Sequence, residues 1–153
     1  MRATFRILAA AAFSLFPPGP ATLLTATPTD ACSVLTPAQV SSVLGIPVAN
    51  GTYDMPGDTK TCTWIIAKGG AVTFHLQTVD FFHAGQGTLA GPERTSVSGV
   101  GDEAYYLNQG PTTSLAVRKG GAAFKVAVYS SDLTLDQRTA IEKNMAQQAL
   151  SKF

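Results

Sequence analysis

The sequence predicts an α+β fold: an antiparallel sheet of about five strands with a short N-terminal helix and a C-terminal helix packed on it, and one disulfide. Three observations carry this. Capping boxes at Thr36-Pro37-Ala38-Gln39 and Thr134-Leu135-Asp136-Gln137 place a helix at each end of the folded region. Gly69-Gly70 and Gly120-Gly121 mark hairpin turns. Between the helices lie runs with period-two alternation, such as Val72, Phe74, Leu76 and Phe124, Val126, Val128.

The elements follow in order. Pro37 suits the first helical position, Val40, Val43 and Leu44 make an apolar face, and Gly45 and Pro47 stop the first helix. Leu35 stands ready to staple onto Val40. Residues Asn50 to Lys60, rich in Gly, Asp, Thr and Pro, read as loop. Cys62–Ala67 and Ala71–Val79 read as a hairpin, the second strand placing Thr73, His75 and Gln77 on its wetter face. Phe81 to Gly91 reads as irregular and Pro92 to Arg94 as loop, with room for a short strand at Thr95–Ser98. Strands are then expected at Glu103–Leu107, Ser114–Arg118 and Ala122–Tyr129. The closing helix runs to about Ser151, with Ile141, Met145, Ala149 and Leu150 facing the sheet.

A length of 153 residues allows one small domain. Arg2 and Arg6 precede an apolar run from Ile7 to Phe16, and Pro17, Pro18 and Pro20 follow, which is the layout of a secretory signal peptide. The run is too short for a transmembrane helix, which needs about 20 apolar residues. The organisation is therefore a signal peptide over 1–26, a polar linker over 27–31 and a single α+β domain over 32–153, with Ala21 and Ala26 as the two candidate cleavage sites. The net charge of +1 becomes −1 once Arg2 and Arg6 leave, so no basic footprint for nucleic acid is present. In an exported chain Cys32 and Cys62, the only cysteines, are expected to pair. Closing that loop contributes about 3–4 kcal/mol in the chain-entropy model.

Motifs that would carry catalysis are weak. Gly85–Ala90 and Gly99-Val100-Gly101-Asp102-Glu103-Ala104 match a loose dinucleotide pattern, but the second opens a strand, not a helix, and neither sits in a βαβ unit. Gly99, Gly101 and Asp102 read instead as a turn, with Glu103 facing solvent. There is no G-x-S-x-G, no S-x-x-K, no C-x-x-C and no H-x-x-H, so neither a serine hydrolase elbow nor a metal or cofactor site is expected. Asn50-Gly51-Thr52 is a glycosylation sequon in form and otherwise a turn. The candidates for a binding surface are Trp64, His75, Tyr105 and Tyr106, an aromatic set with one titratable partner, and Phe81 and Phe82 are further rings that could line an apolar pocket. A hydrolase would have to unite His75 or His83 with Asp80, Asp102 or Glu103 in one cleft.

The runs Ala31-Cys32-Ser33-Val34-Leu35-Thr36-Pro37-Ala38-Gln39-Val40, Cys62-Thr63-Trp64 and Gly99-Val100-Gly101-Asp102-Glu103-Ala104-Tyr105 resemble those of small exported bacterial envelope proteins and lipoproteins of unknown function, the domain-of-unknown-function family 3558 and its relatives. The resemblance covers about residues 31–152 in element order. It implies an extracytoplasmic α+β domain with a Cys32–Cys62 disulfide, and it supplies no activity and no catalytic residues. The lipoprotein members carry a lipobox, whereas here Asp30 stands two residues before Cys32, so free secretion is expected over lipid anchoring.

The expectation from sequence is thus a secreted or periplasmic, non-enzymatic envelope protein. It would bind a small apolar ligand, an envelope component or a protein partner, with a small extracytoplasmic hydrolase as the alternative. The denatured mass of the exported protein should begin at Thr22 or Thr27 and lack two thiol hydrogens. A full-length or lipid-modified mass would overturn free secretion.

Overall fold

The computed structural model describes residues 27–86, 93–109 and 112–153. The expected signal peptide and residues 87–90 of the first Gly-rich match lie outside them. Asp30 caps a 3-10 turn over Ala31–Ser33, its carboxylate accepting from Cys32 N–H at 2.9 Å. Thr36 then starts α1 (Pro37–Leu44), and both bonds of its capping box with Gln39 are made. Gly45, at φ +69°, closes the helix in the left-handed region that a side chain resists. Leu35 and Val40 are both buried in the core, as the staple requires.

The strands are β1 (Thr52–Tyr53), β2 (Thr61–Ile65), β3 (Ala71–Gln77), β4 (Glu93–Ser96), β5 (Glu103–Gln109), β6 (Thr112–Lys119) and β7 (Ala122–Tyr129). They form one antiparallel sheet in the order β1-β2-β3-β7-β6-β5-β4. The sheet therefore has seven strands where about five are expected from sequence. The two extra strands are its edges. β1 lies inside the segment read as loop, and β4 begins at Glu93, also read as loop. Both are short and polar, so neither shows the apolar alternation that marks a half-buried strand. β3 stops at Gln77, two residues early, because Thr78 turns to cap α2 (Val79–Gly85). That helix was not legible in a segment read as irregular, for it buries a single residue, Phe82. The C-terminal helix, α3, runs from Leu135 to Ala149.

One face of the sheet carries the main core. Trp64, Phe74, Leu115, Phe124 and Val126 point into it and meet α1 and α3. Phe74 stacks on Phe124 at 5.0 Å, and Phe153 stacks on the far side of Phe124 at 4.9 Å. The disulfide joins Cys32 of the 3-10 turn to Cys62 of β2 with Cα atoms 4.9 Å apart. Gly51 passes so close that a Cβ there would lie 2.6 Å from the Cys62 sulfur and 2.8 Å from the Trp64 indole nitrogen. The Asn-Gly pair is thus a close approach to the core, where a side chain has no room. Among the described residues no helix is long and apolar enough to cross a membrane.

The α3 face differs from the expected stripe. Met145 and Ala149 are buried, but Ile141 and Leu150 are only partly covered, and Arg138 and Glu142 are buried with Ala146. Arg138 donates to the carbonyls of Ser130 and Leu133 and so holds the turn that leads into its own helix. Glu142 is 0% exposed. Its Oε1 accepts from Val128 N–H at 3.0 Å, one residue past the end of the β6–β7 register, and its Oε2 has no partner. Burial pushes its carboxyl up to about 8, outweighing the Val128 amide, Arg138 and the Thr113 hydroxyl. Two charged residues on the buried stripe explain why a purely apolar period misplaces it.

The folded chain holds the Glu142 proton more tightly than the unfolded chain. Its contribution to stability is therefore full below about pH 4.5 and lost as pH rises toward about 8. Glu142→Gln keeps an acceptor for Val128 without the ionisation. Its melting temperature should track the wild type near about pH 5 and exceed it by several degrees near about pH 8.5. Melting curves that stay parallel across this range would refute the assignment.

Candidate functional site

Among the described residues, the outer face of the sheet is covered on one side only. α2 lies over β6 and β7, and Phe82 packs there on Tyr105, Ala116 and Ala123 in a small second core. The Tyr105 hydroxyl donates to Phe82 C=O at 2.8 Å and ties the helix down. Beside α2, the outer face of β2, β3 and the end of β7 stays open as a shallow cleft of about 280 Å3.

Strand alternation decides what lines it. Val72, Phe74 and Leu76 of β3 enter the core, so Thr73 and His75 turn outward with Gln77. Register then places Thr61 and Lys125 on either side of His75 in one cross-strand row. Thr61 Oγ and His75 Nδ1 are 2.7 Å apart. Asp54, from the loop after β1, reaches the same cleft and accepts from Thr63 Oγ at 2.6 Å. The Gln77 Oε1 atom is buried without a hydrogen-bond partner. Two rings stand at the rim: Phe81 of α2, 61% exposed, and Tyr129 at the end of β7, 44% exposed. Burial, then the Lys125 charge, hold His75 below its usual pKa against the pull of Asp58 and Asp54. The imidazole is therefore neutral at neutral pH.

The four residues singled out from sequence do not converge. Only His75 lines the cleft. Trp64, at 0% exposure, is a core side chain on the opposite face, beside the disulfide. Tyr105 is 5% exposed, beneath α2. Tyr106 points to the helix side, where its hydroxyl donates to Thr139 C=O at 2.6 Å and burial raises its pKa to about 12. The adjacent tyrosines do take opposite faces, and each is used for packing.

The Gly99–Glu103 turn is a structural clamp. Val100 is buried, and Asp102 reaches across to the β6–β7 turn, where its carboxylate accepts from Gly120 N–H at 2.7 Å and from Lys119 at 3.2 Å. Arg118 donates to Glu103 at 2.8 Å and lies 3.5 Å from Asp102. One guanidinium thus bridges both carboxylates. The Gly120 amide and Lys119 hold Asp102 below the usual carboxylate range, and Arg118 and Gln86 do the same for Glu103. Both carboxylates stay ionised and engaged. His83 reaches Glu103 only through Gln86, by contacts of 3.2 and 3.4 Å. Asp80 is an exposed first-turn residue of α2. A direct pairing of His75 or His83 with Asp80, Asp102 or Glu103 is not made.

No protein-family model matches this chain, and no curated protein matches it, so the resemblance seen in the Ala31–Val40, Cys62–Trp64 and Gly99–Tyr105 runs rests on those runs alone.

The clamp makes a prediction. Gly101 has φ +62°, and a Cβ there would lie 2.5 Å from the Arg118 carbonyl oxygen, whereas Gly99, at φ +77°, faces open space. Gly101→Ala should lower unfolding free energy by about 1–3 kcal/mol, and Gly99→Ala by less. Equal losses in chemical denaturation would show that the close approach at Gly101 contributes nothing.

Proposed function

We propose that the protein is a secreted, non-enzymatic binding module of the cell envelope, and that the open outer face of β2, β3 and β7 is its ligand surface. One observation carries this reading: half of one sheet face is left uncovered among the described residues and gathers polar side chains between two exposed rings. The signal-like N-terminus, the disulfide and the resemblance to exported envelope proteins support the location. Of the three ligand classes expected from sequence, the polar lining favours an envelope component over a small apolar molecule, since an apolar ligand would cover Gln77, Thr73 and His75 without satisfying them.

The hydrolase alternative draws on His75 and Asp54 lining the same cleft. Its support is thinner. The imidazole is engaged by a threonine hydroxyl on the neighbouring strand, and the Asp54 carboxylate is engaged by Thr63, as cross-strand pairs commonly are.

The test is an amide NMR titration of the labelled, oxidised protein with solubilised envelope extract. Shifts should cluster on Thr61, Thr73, His75, Gln77, Lys125 and Tyr129. Shifts confined to α1 and α3, or a spectrum that does not move, would overturn the reading.

A further inference from the structure

We propose that the open cleft takes a neutral, hydroxyl-rich ligand, a glycan chain of the envelope laid along the strands; this rests on that face being the ligand surface. Four observations point to this chemistry. The first is charge. The lining holds one carboxylate, Asp54, and one ammonium, Lys125, beside an imidazole that is neutral at neutral pH. With Asp58 also acting on His75, the surroundings carry no excess of cations that would select a phosphate or an anionic lipid headgroup.

The second is hydrogen bonding. Gln77 lines the cleft with its Oε1 buried and unpartnered, so a turn of its amide toward a ligand hydroxyl would meet a need left unmet in the free protein, while Lys125 and the threonine hydroxyls can donate. A sugar hydroxyl donates and accepts at once, so a run of them matches a mixed lining that neither a pure acceptor nor a pure donor would match. An unmet acceptor in a half-closed cleft is where such a bond contributes most, because its desolvation cost already stands in the free protein.

The third is the rim. Phe81 and Tyr129 stand exposed beside the polar strip. A pyranose offers an apolar C–H face as well as hydroxyl edges, and a π-face is the natural partner of that side. The distance between the rim residues fits a chain: Gln77 lies near α2, and Tyr129 pairs with Ala71 at the other end of β3. Seven residues of strand span roughly 20 Å at about 3.3 Å each. The cleft is thus long and shallow, suited to a linear chain lying on it more than to a compact molecule enclosed by it.

The fourth argues against an extended peptide. Peptides dock on sheets by adding a strand to an open edge. β3 and β7 are interior strands paired on both sides, and β2 pairs with β3 along its length and with β1 over Cys62 and Thr63, so the strands under the cleft offer no open edge. Only side chains face the cleft.

The experiment uses the whole exported, oxidised protein, immobilised, with envelope polysaccharide from the source cells as the probe. The polysaccharide is delipidated and protease-treated, and one half is oxidised with periodate, which cleaves vicinal diols. The expected result is capture of the untreated half, loss of capture from the oxidised half, and about tenfold weaker capture by Gln77→Ala and by Tyr129→Ala. Both variants change partly or well exposed side chains, and an unchanged amide spectrum elsewhere shows that they fold. Capture that disappears on protease treatment, or that survives periodate, overturns the glycan while leaving the face intact. Capture unaffected by either variant overturns the face itself. Absence of capture of the protease-treated material, beside retained binding of crude extract at the face, overturns the glycan alone.

Discussion

The pairing of β3 with β7 is the constraint on which the rest of the structure depends. These strands come from different parts of the chain and join the N-terminal hairpin to the C-terminal meander through seven residue pairs, from Ala71↔Tyr129 to Gln77↔Ala123. Strand periodicity then leaves one decision for the whole sheet. Once Phe74 and Val126 face α3, His75 and Lys125 must face away. A slip of one residue would put Lys125 in the core and Phe124 in water. The main core and the open cleft are two consequences of one register.

The ends of the sheet are secured by polar groups used structurally. Arg118 gathers Asp102 and Glu103, and Asp102 caps the β6–β7 turn through the Gly120 amide. These pairs are partly exposed, so each contributes modestly, and their joint effect is to pin two turns together. Glu142 takes the Val128 amide where the β6–β7 register ends. A carboxyl that holds its proton meets that need at lower cost than a buried carboxylate would. The acidic residues that attract attention in the sequence therefore serve the frame.

Where the frame stops, the outer face opens. α2 is short and covers only β6, β7 and the neighbouring Tyr105, secured by one buried phenylalanine and one tyrosine hydroxyl. Thr73, His75 and Gln77 line the cleft beside it, with Phe81 of α2 at the rim. Their polarity fits this position, since a side chain on an uncovered face keeps its contact with water or with a ligand.

Much of the frame was legible in the chain. Thr36 and Thr134 with their glutamines marked both capped helices, because capping is a bond between residues three apart. Gly69-Gly70 and Gly120-Gly121 marked hairpins for the same local reason. The cysteine pair needed only a count and the expectation of export. Strand alternation also showed that Thr73, His75 and Gln77 share a face. The edge β1, the first half of β4 (a short strand was allowed only from Thr95), the helix α2 and the polar members of the α3 stripe were not legible, because each is set by a neighbour distant in sequence. The same is true of the site. That Trp64 and Tyr106 lie opposite His75, that Lys125 stands beside it, and that Asp54 and Tyr129 complete the cleft follow from cross-strand register. Capping, turns and periodicity are short-range and are written in the sequence itself, whereas register and cover are long-range contacts that only the tertiary structure decides.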